Sequence, residues 1–331
     1  METVLVVGGA GYIGSHAAKM LGESGYDVVI FDNLSAGSRE AALGKPLIED
    51  DILNADAFRE TLRKYDISAV MQFAASLSVA DSVIDPKGYY QNNVVGTLSL
   101  LGAMVAESVD RLVFSSTAAI YGNPIKTPIS EDHPKNPINS YGETKLTIER
   151  ALQHYDRAYG LKSISLRYFN ASGADPDGLL GENHEPETHL IPRALDAASG
   201  GPPLEIFGDD YETPDGTCLR DYIHVTDLAS AHVLALGCLE EGSDSTAYNL
   251  GNGTPYSVKE VVEVVSQVTN KMVPCVVSPQ RSGDPAILFA SSENIQRELN
   301  WTPRFNELTS IVETAWRWHQ GKSGKTFVVK K

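Results

Sequence analysis

"TVLVVGGAGYIGSHAAKMLGESGYDVVIFDN" (Thr3–Asn33) alternates in a way that limits the choice of fold. Val4–Val7 is an unbroken apolar run, the pattern of a strand buried on both faces. A glycine-rich turn follows, then a helix over His16–Leu21, closed by Gly22–Gly25, and a second buried strand over Val28–Phe31. Gly8, Gly11 and Gly14 give G-x-x-G-x-x-G, and Gly9 also admits G-x-G-x-x-G. Between a strand and a helix, such glycines let backbone approach a pyrophosphate, and the helix N-terminus adds N–H donors and a positive dipole end. Asp32 ends the second strand 18 residues after Gly14, near the roughly 20 at which an acid receives ribose hydroxyls. A carboxylate there repels the extra phosphate of NADP, so the expected cofactor is NAD.

The same alternation continues outward. Ala69–Ala75 and Arg111–Ser116 read as buried strands, with a helix over Asn93–Glu107 between them. The expected fold class is α/β, a Rossmann-type doubly wound parallel sheet with a smaller C-terminal α/β substrate domain. After "SISLRYFN" (Ser163–Asn170) the texture changes to Pro, Gly and Asp. The expected boundaries are therefore 1–170 for the dinucleotide-binding domain and 171–331 for the substrate domain, with 221–250 returning to the first. Helices are expected near Thr226 and near Ser257, the latter with Glu260 completing a capping box.

Composition narrows the function. The 331 residues are 42% apolar and 21% charged, with net charge -16. That is an ordinary globular balance, and the acidity disfavours nucleic acid and anionic membranes as partners. Cys218, Cys238 and Cys275 are odd in number and far apart, as in a reduced cytoplasmic protein. The first residues lack a basic signal-peptide region, and no apolar run approaches the roughly 20 residues of a membrane span.

"INSYGETKLTIERAL" (Ile138–Leu152) opens a further helix, with Ser140 as expected N-cap and Glu143 completing a capping box. Tyr141 and Lys145 then share a face, about 5–6 Å apart at Cβ. Upstream, the strand over Arg111–Ser116 delivers Ser115, Ser116 and Thr117 to its C-terminal end, the edge where open α/β sheets bind ligands.

Y-x-x-x-K after a strand ending in Ser/Thr, with an N-terminal G-x-x-G-x-x-G, resembles the short-chain dehydrogenase/reductase superfamily. "GGAGYIGSH", "DNL", "YGETK", "LRYFN" and "RDYIHVTDLA" are similar to its extended branch and, within it, to the UDP-glucose 4-epimerase family. The resemblance runs from Val4 to about His319. It implies an NAD-dependent isomerase that interconverts UDP-sugars through a transient 4-keto intermediate, which swings about its diphosphate so that hydride returns to the other face. Tyr141 is then the base, and Lys145 and the positive nicotinamide lower its pKa from about 10. Thr117 holds the reacting oxygen. Besides Gly8, Gly11, Gly14 and Asp32, the resemblance places cofactor contacts at Tyr12, Ile13, Asn33, Leu34 and Ser35. It adds Asp51, Ile52, Phe73, Ala74, Ala75 and Asn92, and finally Ser115, Tyr141, Lys145 and Tyr168.

For the substrate the resemblance implies a uracil sandwich from Phe207 with Leu204 to Ile206, and a diphosphate clamp from Arg220 and Arg281. Guanidinium forks suit phosphate geometry in a way that ammonium does not. Asp284 is implied for ribose hydroxyls, and Asn170, His189 and Leu190 also fall on substrate-contacting positions, with Thr117 and Tyr141 at the sugar. Two departures stand out. Leu77 occupies a position where many relatives carry a lysine beside the nicotinamide ribose. Leu288 stands where some relatives wall in the sugar's 2-position with tyrosine, and a smaller residue opens that wall to N-acetylated sugars. The resemblance also implies a homodimer, formed by helices near 93–107 and 141–159.

No metal is expected. "HEPETH" (His184–His189) spaces its histidines five apart with Pro186 between, which breaks the i, i+4 geometry of a zinc helix. Among rival reactions, 4,6-dehydration needs an acid pair just after the strand threonine, where this chain has Ala118 and Ala119. Decarboxylation of a UDP-uronate also calls for an acid in that segment. A ketone reductase using NADPH is disfavoured by Asp32. A non-catalytic NAD sensor is opposed by the intact Tyr141, Lys145 and Thr117, and an RNA-binding relative by the net charge. Epimerisation of UDP-N-acetylglucosamine or of UDP-pentoses fits the same chemistry as that of UDP-glucose.

Overall fold

The computed structural model describes residues 2–281 and 285–324. Seven strands form its main sheet: β1 (Thr3–Val7), β2 (Asp27–Phe31), β3 (Leu47–Ile48), β4 (Ile67–Gln72), β5 (Arg111–Thr117), β6 (Lys162–Tyr168) and β7 (Thr246–Leu250). Their order is β7-β6-β5-β4-β1-β2-β3, and every pairing is parallel. All C-terminal strand ends therefore share one edge. The order reverses between β1 and β4, which opens a crevice there.

The continuous apolar runs follow from burial on both faces. Val4, Val6, Ile30, Met71 and Leu166 point to one side, against Ala17, Leu21, Leu228 and Ala235 of two helices. Leu5, Val7, Val29, Val70 and Phe114 point to the other, against Phe58, Leu101, Met104 and Ile148. The helix Val225–Glu240 and strand β7 belong to this body even though they follow the first residues of the smaller lobe. That lobe packs the helices Leu190–Ala198, Val258–Thr269 and Leu308–Gly324 around their own apolar centre. It also carries the strand pair Leu204–Phe207 and Cys275–Ser278, and a ribbon of Tyr256–Ser257, Leu219–Arg220 and Ile287–Leu288. The capping box of Ser257 and Glu260 is present.

Several expected boundaries move, each for a local reason. The first helix runs Tyr12–Glu23, starting at the motif rather than at His16. Its Gly14 is pressed on the preceding turn, where a Cβ would lie 2.1 Å from the Gly8 carbonyl oxygen. β4 stops at Gln72, because the Phe73 and Ala74 N–H groups both turn back to the Val7 carbonyl, at 2.7 and 3.1 Å. The helix expected from Asn93 begins at Pro86, widens into a π-type turn over Tyr90–Val95 and continues as Gly96–Ala106. β6 ends at Tyr168, after which Asn170–Ser172 leaves the sheet to pair with Tyr222–His224.

The N-cap of the helix Ser140–Tyr159 is Asn139, not Ser140. The Asn139 side-chain oxygen accepts from the Gly142 N–H at 2.9 Å, and Ser140 is the first helical residue. This register places Gly142 against the backbone after β5, where a Cβ would meet the Ala119 carbonyl oxygen at 2.5 Å. A glycine opens this helix because its first turn abuts another backbone.

Candidate active site

The site assembles at the C-terminal edge of the sheet. At the crevice between β1 and β4, Gly8 has φ +80°, and a Cβ on it would lie 2.5 Å from the Ala74 nitrogen. Only glycine fits, so the turn lies directly against Phe73–Ala75. Next to it, buried Asp32 at the end of β2 accepts the Ala10 N–H at 2.9 Å on one oxygen and the Leu34 N–H at 2.8 Å on the other. The carboxylate is thereby fixed at the rim of the glycine turn, with further lone pairs for ribose hydroxyls. Asn33 donates to Asp51 at 2.9 Å, which brings the loop after β3, with buried Ile52, to the same edge. Ser35 is exposed on that rim, and Tyr12 and Ile13 are half-buried in the first helical turn. These residues fit a dinucleotide: a glycine cradle that any Cβ would fill, a helix N-terminus above it and an acid at the ribose end.

Across the crevice, β5 carries Ser115 and Thr117 to the edge, and the helix Ser140–Tyr159 brings Tyr141 to Thr117. The Thr117 hydroxyl is near enough to the phenol to act on its proton affinity. Burial raises the Tyr141 phenol to about 12, although the Thr117 hydroxyl opposes that shift. Lys145 is buried and donates to the Ser115 carbonyl at 2.8 Å. Burial pulls its ammonium down to about 7, against the pull of Glu149. The expectation that Lys145 lowers the phenol is therefore not met by the protein alone. Desolvation is the largest influence on both groups, and Lys145 is anchored on Ser115. Tyr168, at the end of β6, is hydrogen-bonded to the Ser115 hydroxyl.

Three participants escaped the sequence reading. Asn93 is buried in the widened helical turn, one residue beyond the expected Asn92. It accepts the Ser76 N–H at 2.8 Å and donates to the Thr144 hydroxyl at 3.2 Å, clamping the loop after β4 to the helix Ser140–Tyr159. Asn92 itself donates to Asn93 at 3.0 Å. Beneath Lys145, Glu149 accepts from Arg167 at 2.9 and 2.7 Å and from Ser116 at 2.5 Å. An arginine inside the apolar strand "SISLRYF" was the available signal, since a charge there requires a buried partner.

On the substrate side, Asn170 donates to the Asp221 carbonyl at 2.8 Å. Half-buried Arg220 stands in register with Leu288 on the adjacent parallel strand. Leu288 packs against the cluster of Ala118, Ile120, Tyr121, Ile129 and Leu146, the last on the helix that carries Tyr141. The Arg281 guanidinium lies over the Phe207 ring at 3.7 Å. A base stacking on Phe207 shares that ring with Arg281 or takes its other face. Ile206 and Leu204 are buried, and the Leu204 side chain belongs to the core of the smaller lobe, so only its backbone can face a ligand. His189 is the exposed N-cap residue of the helix that Leu190 opens. Leu77 is exposed in the loop after β4. Asp284 lies outside the described residues.

Residues 4–251 match the model of the NAD dependent epimerase/dehydratase family. The UDP-glucose 4-epimerase of Corynebacterium glutamicum is 50% identical over 330 residues, covering 99% of this chain and 99% of its own. The crystal structure of UDP-glucose 4-epimerase from Brucella ovis in complex with NAD superposes with a TM-score of 0.93 at 50% identity, over 96% of this chain and 98% of that one. A UDP-glucose-4-epimerase from Stenotrophomonas maltophila, with bound NAD and formylated UDP-arabinopyranose, gives 0.94 at 39% identity, over 98% and 99%.

Proposed function

The chain belongs to the NAD dependent epimerase/dehydratase family, and from that premise we propose that it interconverts UDP-glucose and UDP-galactose by oxidising and re-reducing C4 of the sugar. One observation carries the reading: Tyr141 and Thr117 stand together at the same C-terminal edge of the sheet as the glycine cradle and Asp32. Bound in that cradle, NAD supplies the hydride acceptor for C4 and the donor for its return.

The remaining work falls to this chain. Tyr141 takes the proton of the 4-hydroxyl as the C4–H bond breaks, and Thr117 holds the same oxygen. The resulting ketone turns its other face inward while the diphosphate stays with Arg220 and Arg281, and Tyr141 then returns the proton. With its phenol at about 12, Tyr141 needs positive charge beside it to act as a base near neutral pH. A cationic nicotinamide ring and a protonated Lys145 are the sources that the site provides for. Ala118 and Ala119 leave no acid beside Thr117, which disfavours loss of water. The small wall at Leu288 favours UDP-N-acetylglucosamine as a second substrate.

The test is turnover of UDP-glucose to UDP-galactose, followed by NMR, with Tyr141→Phe alongside. Loss of the base is expected to lower turnover by about 100- to 10,000-fold with NAD still bound. Near-normal turnover in that variant would overturn the assignment.

We further propose a cytoplasmic homodimer. Leu98 is exposed on the helix Gly96–Ala106, and Tyr90 and Val95 are exposed in the widened turn before it, apolar surface that suits a second copy of the chain. All three cysteines are free thiols, as a reducing compartment keeps them. Among the described residues no helix is long and apolar enough to cross a membrane. Sedimentation of the wild-type protein and of Leu98→Arg tests the pairing, and a wild-type monomer would refute it.

A further inference from the structure

We infer that Glu182, His184, Glu187 and His189 form a binding site for a divalent cation of the zinc class, in the loop that leads from Gly173 to the helix Leu190–Ala198. "HEPETH" is not helical, yet its loop gathers one ligand atom from each of these four residues within 4.8 Å of one another. His184 Nδ1 lies 3.1 Å from the Glu182 carboxylate, and His189 Nδ1 lies 3.4 Å from Glu187 and 2.5 Å from that same Glu182 oxygen. A tetrahedral ion with bonds of about 2.0–2.2 Å spaces its ligands about 3.3–3.6 Å apart. Two of the three separations are already within a few tenths of an ångström of that range, and the third needs to open by about an ångström.

The charge and the chemistry also match. Two carboxylates balance a dication, and two neutral imidazoles complete a nitrogen and oxygen donor set of the kind that zinc accepts. Without a cation, both Nδ1 atoms crowd a single oxygen of Glu182, whose side chain is only 5% exposed. With one, both can keep their lone pairs directed inward. A cleft of about 320 Å³, lined by Glu182, His184 and Glu187 together with Asp196 and His319, gives an entry path.

The position gives the ion a structural role. The Tyr12 hydroxyl donates to the Gly173 carbonyl at 2.7 Å, and the Tyr12 ring packs edge-on against His184. His189 precedes the helix Leu190–Ala198. A cation here ties the loop 173–189, which rests on the cofactor turn, to the first helix of the smaller lobe.

The experiment uses tag-free full-length protein with its cofactor, loaded with Zn²⁺, desalted and assayed for metal, and in parallel loaded with Co²⁺ for its visible spectrum. The expected result is one retained Zn²⁺ per chain and the intense visible bands of four-coordinate Co²⁺. His184→Ala and Glu187→Gln are each expected to weaken Zn²⁺ binding more than about tenfold, since loss of even an outer-shell partner costs about that much. Circular dichroism and UDP-glucose turnover report whether each variant is folded, and should His184→Ala fail to fold, Glu187→Gln decides alone. No retained Zn²⁺ in the wild type, or binding by folded variants equal to wild type, would show that the cluster is a hydrogen-bonded imidazole–carboxylate network and overturn the assignment.

Discussion

Leu288 stands in register with Arg220 on neighbouring parallel strands, and its side chain packs against the cluster that includes Ala118 and Leu146. The wall of the proposed sugar pocket and the proposed diphosphate clamp are thus parts of one ribbon. A larger side chain at 288 cannot withdraw without moving Arg220. Leu288→Tyr is therefore expected to suppress turnover of UDP-N-acetylglucosamine relative to UDP-glucose. Overpacking costs about 1–3 kcal/mol, or roughly five- to 150-fold in rate. Competition between the two substrates, read by NMR, checks this, and an unchanged ratio would place Leu288 away from the sugar.

Gly142→Ala sets a propensity gain against a collision. Alanine in a helix is worth about 0.5–1 kcal/mol over glycine. Here the new Cβ meets a backbone oxygen at 2.5 Å, so the helix itself must shift. Tyr141 moves with it, and a displacement of about 1 Å can cost up to about 100-fold in rate. The expected outcome is a lowered kcat with little change in NAD affinity. Wild-type kcat would show that the helix can yield without disturbing Tyr141.

Asp32→Asn changes both recognition and stability. Loss of the charge is expected to narrow the preference for NAD over NADP, measurable by titrating cofactor-free protein with each. The amide also turns an NH₂ group towards Ala10 N–H or Leu34 N–H, both of which need an acceptor. An unsatisfied donor of that kind costs about 1–3 kcal/mol, visible as a lower denaturation midpoint.

Lys145 gives stability a pH dependence of definite sign. Its ammonium titrates at about 7 in the folded protein and at 10.5 ordinarily. Between those values the unfolded chain binds the extra proton, so this group makes stability rise with pH; below 7 the burial penalty is fully present. Lys145→Met is expected to be more stable than wild type at pH 6.5 and to lose most of that advantage by pH 9.5, while turning over poorly. Urea unfolding at the two pH values checks it. An advantage that does not shrink would mean that the folded lysine keeps its proton throughout.

What could be read from the sequence was mostly local. The glycine turn, Asp32, and the Tyr141–Lys145 pair each depend on spacing within one or two elements, and buried parallel strands announce themselves as apolar runs. The N-cap was misplaced by one residue because Asn139 and Ser140 are both good caps, and only the contact of Gly142 with Ala119 selects between them. Asn93 was invisible because its partners, Ser76 and Thr144, lie 17 and 51 residues away. Spacing also says nothing about burial, which is the largest influence on both Tyr141 and Lys145 in the protein alone.

The last strand of the main sheet has a consequence for synthesis. β7 (Thr246–Leu250) covers the outer edge of β6, but much of the smaller lobe is encoded between them. On the ribosome, β6 therefore emerges long before its partner. Until Leu250 is free of the exit tunnel, Lys162–Tyr168 presents an unpaired apolar edge to its surroundings. The nascent chain is most prone to aggregate in that interval, and a product truncated anywhere between β6 and β7 keeps that edge permanently open.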